Sequence, residues 1–182
     1  MKLKLRILRT DLKIISMLCL LLMTAVAGLA GCDNADDSKT TLSPVKTDEL
    51  VDVFFRKASN DIGRGIISFF PERKQSTDVS PLIINNVEDL RSAYYGKDEL
   101  PTIDFSKYTL IIGAVYITAG IYVKEQKLIL NERSATLHLF MEMTDEAVIT
   151  NFNHELYWGL YPKLSIRNIN VKKYRDGKEW NL

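Results

Sequence analysis

The segment that most limits the possible folds of this chain is the apolar run YTLIIGAVYI at residues 108–117. It is rich in β-branched and aromatic residues, which favour extended structure, and its polar and apolar positions do not alternate. A strand of this composition cannot leave one face in water. The run therefore predicts a central strand that is covered on both faces.

Further strand patterns follow. Residues 121–131 and 135–143 predict two strands joined by a hairpin turn at NERS, and residues 165–174 predict a last strand before a turn at Asp176-Gly177. Because strand follows strand through short turns, antiparallel pairing is favoured.

Helical patterns come earlier in the chain. Thr47 is a candidate cap for a helix with apolar residues at helical spacing, namely Leu50, Val51, Phe54, Phe55 and Ala58. After a buried strand at Leu82-Ile83-Ile84, Asn86 can cap a second helix, with Asp89 three residues later and Gly96 near its end. The prediction is an α+β fold. Two short N-terminal helices pack on a twisted, mainly antiparallel sheet that forms a partly closed barrel or a sandwich.

The N-terminus has the pattern of a targeting segment. Five basic residues precede or flank an apolar run from Ile14 to Leu29, which is short for a membrane-spanning helix, and Leu29-Ala30-Gly31 stands directly before Cys32. These four residues resemble the bacterial lipobox. The resemblance implies cleavage between Gly31 and Cys32 and attachment of lipid, with palmitate among the acyl chains, to Cys32. A permanent transmembrane anchor and a structural cysteine near an ordinary cleavage site are the alternatives.

The predicted organisation is a lipoprotein signal peptide at 1–31, a flexible acidic and polar tether at 32–46, and a single globular domain at 47–182. Asp33, Asp36 and Asp37 follow the cysteine. Acid in this position resembles the lipoprotein export signal of Bacteroidota, which leads to the outer face of the outer membrane, but an ordinary solvated linker has the same composition. The predicted location is the cell envelope, lipid-anchored in the outer membrane, with the leaflet left open.

The cysteine count and the net charge argue against a disulfide-stabilised domain and against a nucleic-acid-binding domain. The other cysteine, Cys19, lies in the leader, so residues 32–182 have no partner for a disulfide with Cys32. The leader holds five of the 24 basic and one of the 23 acidic residues, which leaves 19 basic and 22 acidic side chains and a net charge of −3. A slightly acidic domain is a poor candidate for binding nucleic acid.

No catalytic or metal-binding motif is recognisable. HELYW at 154–158 has Trp158 where a zinc-protease motif needs its second histidine, and the one further histidine is His138. The chain has neither a Gly-x-Ser-x-Gly elbow nor a phosphate-binding loop. The sequence therefore predicts a protein without catalytic residues, metal or cofactor.

One local feature is a candidate binding surface. Tyr157, Trp158 and Tyr161 lie within five residues, and aromatic residues with polar tips are frequent at sites that grip a protein or a glycan. The alternative, which we favour, is that they pack the end of the sheet. In that case Trp158 is mostly buried, and at least one of the two tyrosines keeps its hydroxyl in water.

Four segments carry a family resemblance: INNVEDLRSAY, IDFSKYTLIIG, YVKEQKLIL and YWGLYPKL, within residues 80–172. They resemble small Bacteroidota lipoproteins of unknown function. More faintly, DFSKY before an apolar strand is similar to the C-terminal domain of the PrcB family, a subunit of a protease complex. The expected function is a non-enzymatic, lipid-anchored binding or accessory protein of the envelope. The alternative is a regulator or stabiliser of an envelope protease complex.

Overall fold

The structure is a computed structural model that describes residues 39–60, 68–72, 77–118, 120–132, 134–144 and 152–180. The predicted signal peptide, Gly31 and Cys32 lie outside these residues. The described chain is mostly β-sheet with two helices. Its elements in chain order are β1 (Thr40–Leu42), α1 (Glu49–Asn60), β2 (Val79–Ile84), α2 (Val87–Ala93), β3 (Tyr108–Thr118), β4 (Ile121–Leu130), β5 (Ala135–Met143), β6 (Phe152–Pro162), β7 (Asn170–Arg175) and β8 (Lys178–Glu179).

The strands form two sheets. One has three strands in the order β2-β3-β6, and the other has five strands in the order β1-β4-β5-β7-β8. Every pair is antiparallel except β5 with β7, which are parallel. The broad α+β prediction with mainly antiparallel pairing is confirmed. The sheets are not closed into a barrel.

β3 is the central strand of the smaller sheet, as its apolar sequence predicted. Its side chains divide between two apolar clusters. Leu110, Ile112 and Ala114 join a cluster with helix residues, whereas Ile111 and Val115 join a cluster with residues of the five-stranded sheet. Both faces of β3 are therefore covered, which explains why the strand lacks polar positions.

The helix starts differ in how well the sequence predicted them. α2 begins after Asn86, whose side chain accepts a hydrogen bond from the backbone N–H of Asp89 at 2.7 Å, as predicted. α1 is capped by Asp48 rather than by Thr47, because the Asp48 carboxylate accepts from the backbone N–H of Val51 at 2.9 Å. Leu50, predicted on the buried face of α1, is 79% exposed. Neither described helix is long and apolar enough to span a membrane.

Two other predictions need correction. Residues 40–42, assigned from the sequence to the flexible tether, form β1 and pair with residues 128–130 of β4. The backbone N–H of Val45 also donates to the carbonyl of Leu160 at 2.8 Å, so the ordered fold begins before residue 47. The last predicted strand, 165–174, is shorter than expected, since β7 covers Asn170–Arg175.

Candidate functional site

The predicted aromatic surface is divided by the strand that carries it. Tyr157, Trp158 and Tyr161 all lie on β6, an 11-residue strand that was not predicted from the sequence. Side chains alternate between the two faces of a strand. Tyr157 and Tyr161 join the cluster shared with the five-stranded sheet, while Trp158 packs on the cluster that includes the helices. The three rings therefore do not form one platform.

Trp158 is half-buried. Its ring stacks on Phe55 of α1, with centroids 4.5 Å apart and planes 24° apart. It also lines a cavity of about 500 Å³ together with Pro44, Lys46 and Glu49. Trp158 thus has both a packing role and some access to a cavity, but neither tyrosine accompanies it there.

The two tyrosine hydroxyls are inside the protein, so the prediction that one of them reaches water is wrong. Tyr157 is 3% exposed and Tyr161 0% exposed. The Tyr161 hydroxyl donates to the side chain of Gln126 at 3.4 Å, whereas the Tyr157 hydroxyl has no hydrogen-bond partner among the described residues. Burial raises the pKa of both phenols. These residues belong to the core because the five-stranded sheet covers their face of β6.

His138 lies on β5 and His154 on β6, which belong to different sheets. Among the described residues, no group of three His, Cys, Asp or Glu side chains can hold a metal ion. His154 Nε2 lies 3.0 Å from the carbonyl oxygen of Thr77. Glu155 projects from the opposite face of β6, and burial raises its pKa to about 7. The HELYW motif therefore does not bring its histidine and glutamate to one face.

The DFSKY motif forms a turn. Asp104 accepts hydrogen bonds from the backbone N–H of Ser106 at 3.1 Å and from the Ser106 hydroxyl, and it pairs with Lys107 at 3.1 Å. The backbone carbonyl of Asp104 accepts from the N–H of Tyr108, the first residue of β3. These contacts lower the pKa of Asp104, first through the Ser106 hydroxyl. The motif positions the start of β3 and offers no evident chemistry.

The structure reveals a different aromatic cluster, on the face of β5 and β7 that points away from the smaller sheet. We call it the outer aromatic cluster; it consists of His138, Phe140 and Tyr174. Phe140 and Tyr174 are stacked, with centroids 5.5 Å apart and planes 24° apart, and His138 lies 4.8 Å from Tyr174. All three rings are half-buried. They lie together because β5 and β7 pair in parallel, with Phe140 opposite Tyr174.

Charged side chains lie on the strands around this cluster, and four of the basic residues lie beside an acidic one. The pairs are Lys124 with Glu142 (2.7 Å), Lys127 with Glu125 (3.1 Å), Lys172 with Glu179 (3.0 Å) and Arg175 with Asp176 (3.5 Å). The Lys127 ammonium also lies 5.2 Å from the centre of the Phe140 ring. The surroundings of the cluster are therefore rich in charge, but their net charge is close to zero.

A cleft of about 410 Å³ opens beside the cluster. We call it the outer cleft. Its lining residues are Lys124, Phe140, Met141, Glu142, Met143, Tyr174, Arg175, Asp176 and Gly177. Glu142 accepts hydrogen bonds from Lys124 and from the Tyr122 hydroxyl, and these two bonds hold its pKa below the usual range. The cleft thus combines an aromatic wall with an ionised, hydrogen-bonded rim.

The surroundings of His138 favour its neutral form. Burial lowers its pKa below the usual range, and the charge of Lys172 lowers it further, against a smaller opposing effect of Glu179. The sequence did contain one signal for this surface, the alternation of His138, Phe140 and Glu142 along the outward side of residues 135–143.

Comparison of the chain with protein-family models, with curated proteins and with solved structures gave no match. Functional inference for this protein therefore depends on the geometry of its own residues.

Proposed function

We propose that this protein is a non-enzymatic binding protein of the bacterial envelope, anchored by lipid on Cys32, and that the outer aromatic cluster with the outer cleft is its recognition surface. The observation that carries the proposal is the stacking of Phe140 and Tyr174 on a solvent-facing part of the sheet. Both residues line an open cleft, and ligand pockets are lined predominantly by hydrophobic and aromatic side chains.

The position of β1 limits how far the domain can lie from the proposed anchor. Residues 32 and 40 are eight residues apart, and a fully extended chain of that length spans no more than about 29 Å. The domain would therefore stay close to the membrane, although a tether that reached residue 46 would have allowed a much wider range.

The outer cleft and β1 lie at opposite ends of β4. Thr40 is paired with Leu130 at one end of β4, whereas Tyr122 is paired with Glu142 at the other end. Eight residues separate Tyr122 from Leu130, which corresponds to about 26 Å along a strand.

We propose, at the level of the fold, that the two sheets form an open sandwich and that α1 and α2 cover the outer face of the smaller sheet. The shared apolar clusters support this arrangement. Amide hydrogen exchange tests it, because β3 is then covered on both faces and its amides should exchange most slowly. Exchange in β3 as fast as in β8 would contradict the sandwich.

The recognition surface can be tested by photo-crosslinking in living cells. A benzophenone amino acid replaces Lys172, which is exposed beside the outer aromatic cluster, or Tyr95, a matched control that is 67% exposed and lies outside the cluster. We expect adducts from position 172 and none from position 95, since only the first lies on the proposed surface. Absence of adducts from position 172 would contradict the proposed function.

The protease-regulator alternative remains a prediction. Adducts at position 172 that contain a protease subunit would support it. If proteinase K degrades the protein that carries the benzophenone but leaves the crosslinked partner intact, the ligand is not a protein.

A further inference from the structure

We propose that a groove along α1 binds a basic amphipathic segment of a partner protein, with apolar side chains of the partner on Leu50 and Val53 and its lysine or arginine side chains at an acidic rim. We call it the α1 groove; its volume is about 440 Å³. Its lining residues come from the start and middle of α1 and from the loop at 98–102, and they are Asp48, Leu50, Val51, Val53, Phe54, Lys57, Asp98, Glu99, Leu100, Pro101 and Thr102. None of them lines the outer cleft, so the inference concerns a second surface.

The apolar part of the α1 groove includes two leucine and valine side chains that stand in water. Leu50 and Val53 are three residues apart, hence neighbours on the helix surface, and they are 79% and 48% exposed. Beside them, Val51 is buried in the core, and Phe54 and Leu100 are half-buried against the same core cluster. A single exposed leucine on a protein surface needs no explanation, but an exposed pair in an apolar groove marks an interaction site.

The rim of the α1 groove carries an excess of negative charge. Three carboxylates line it, those of Asp48, Asp98 and Glu99, whereas Lys57 is the one basic side chain of the described lining. Lys57 lies 3.4 Å from Asp98, and the formal charge of the lining is −2. The Asp48 carboxylate accepts a hydrogen bond from the backbone N–H of Val51 at 2.9 Å, but a carboxylate has about four acceptor positions and can accept from a partner as well. Lysine and arginine side chains are the complement of such a rim.

The length of the α1 groove suits a short helix of the partner. From Asp48 to Lys57 the groove follows α1 over nine residues, which corresponds to about 14 Å and two to three helical turns. An amphipathic helix that lies in an apolar groove contacts it through side chains at positions i, i+3 or i+4, and i+7. Basic residues on the flanks of that stripe then reach the rim. The occupant is therefore apolar along one stripe and basic beside it.

Two other occupants fit the groove less well. A negatively charged lipid surface would be repelled by a rim of charge −2, and residues 32–182 as a whole carry a net charge of −3. A second copy of the chain offers an exposed apolar pair in Tyr122 and Met143, but these lie beside the ion pair of Lys124 with Glu142, which has no net charge. A basic partner segment matches both the apolar floor and the acidic rim.

The first test measures peptide binding by the full mature protein, purified in one neutral detergent. Its probes are immobilised 15-residue peptides with one amphipathic apolar pattern and with lysine, glutamate or glutamine on the polar face. We expect the lysine peptides to bind at least about 10-fold more tightly than the other two sets. Leu50→Ser should weaken this binding by at least about 10-fold, the effect of losing one buried leucine side chain. Met143→Ser, which changes an exposed apolar residue of the outer cleft, should leave it unchanged.

Reversal of the rim charge makes the test independent of the apolar contacts. Asp98→Lys combined with Glu99→Lys changes the formal charge of the lining from −2 to +2 and should transfer the preference to the glutamate peptides. Both positions are exposed, so the fold should tolerate the change. The matched control, Glu88→Lys combined with Glu132→Lys, alters the total charge equally at exposed positions outside the groove and should keep the lysine preference.

Three results would overturn the inference. They are equal binding of lysine and glutamate peptides by wild type, an unchanged preference in the charge-reversed variant, and a loss of binding in Met143→Ser that Leu50→Ser does not show. A benzophenone amino acid at Val53 then identifies the occupant in cells. Adducts whose crosslinked segment is apolar and rich in lysine or arginine would support the inference, whereas adducts with lipid or with a second copy of the chain would refute it.

Discussion

The hydroxyl of Tyr157 gives the sharpest test of the fold. It is buried without a hydrogen-bond partner among the described residues, and the ring lies so close to Gly113 that a Cβ at that position would be 2.3 Å from the phenol oxygen. Burial raises the pKa of Tyr157, and the negative charge of the nearby Asp78 raises it further. The Asp78 carboxylate accepts hydrogen bonds from the Lys173 ammonium at 2.8 Å and from the Tyr116 backbone N–H at 2.8 Å. Tyr157→Phe therefore removes a hydroxyl that loses its hydration on folding and forms no hydrogen bond with the described residues.

The expected gain follows from two opposing effects. A buried polar group without a partner costs about 1 to 3 kcal/mol of desolvation. The small void left by the oxygen costs about 0.4 kcal/mol, taking roughly 15 Å³ at about 24 cal/mol per Å³. We expect Tyr157→Phe to raise the free energy of unfolding by about 0.6 to 2.6 kcal/mol, the difference between these two effects, which corresponds to about 2 to 10 °C in melting temperature for a domain of this size.

Urea unfolding followed by circular dichroism measures this change, with Tyr161→Phe as the matched control. Tyr161 lies on the same face of the same strand, but its hydroxyl donates to Gln126, so its removal should be neutral or cost up to about 1 kcal/mol. If Tyr157→Phe is destabilised by as much as Tyr161→Phe or more, the Tyr157 hydroxyl has a hydrogen-bond partner. The conclusion that this hydroxyl is buried without a partner would then be wrong.

Four further predictions follow from other parts of the chain. Gly113→Ala should cost about 1 to 3 kcal/mol in urea unfolding because its methyl group collides with the buried Tyr157 ring; a neutral result would mean that the ring can move aside. Trp158→Ala should cost about 3 kcal/mol, the lower end for a large aromatic residue, since its ring is half-buried against Phe55; an unchanged melting temperature would contradict that stacking. Glu155, with a pKa raised by burial from 4.5 to about 7, is favoured in its neutral form on folding, so its contribution is fully present below pH 4.5 and is lost as pH rises through 7. The full pKa difference corresponds to about 3 kcal/mol, which we reduce to about 1 to 2 kcal/mol because the residue is half-buried. The free energy of unfolding of Glu155→Gln should exceed that of wild type by about 1 to 2 kcal/mol at pH 8 and should match it near pH 4. Equal stability of the two proteins at both pH values would refute this prediction. Cys32→Ser should abolish labelling with palmitate, and wild-type protein that enters the aqueous phase of a Triton X-114 extraction would contradict lipid anchoring.

Local patterns in the sequence were enough to predict several elements. β3 was predicted because a long β-branched run without polar positions needs cover on both faces, and the alternation in residues 135–143 predicted β5. Asn86 was identified as a helix cap because the N–H that it satisfies lies only three residues away. Each of these depends on neighbours in the chain, which is why the sequence alone carries the information.

Other features depended on partners far away in the sequence. β6 was missed because YWGLYP is apolar on both faces, and its tyrosines could be assigned to the core only once the five-stranded sheet was known to cover one side. β1 was taken for a tether because a short polar strand becomes ordered only through its pairing with residues 128–130.

The candidate site illustrates the same limit. The sequence determined that the chain is α+β, that residues 32–182 fold without a disulfide, and that no known catalytic motif is present. Tertiary structure alone brought Phe140 and Tyr174 together, since they are 34 residues apart and meet only through the parallel pairing of β5 and β7. The register of two distant strands depends on the packing of the whole sheet, because a shift by one residue would turn Tyr174 to the other face of the sheet.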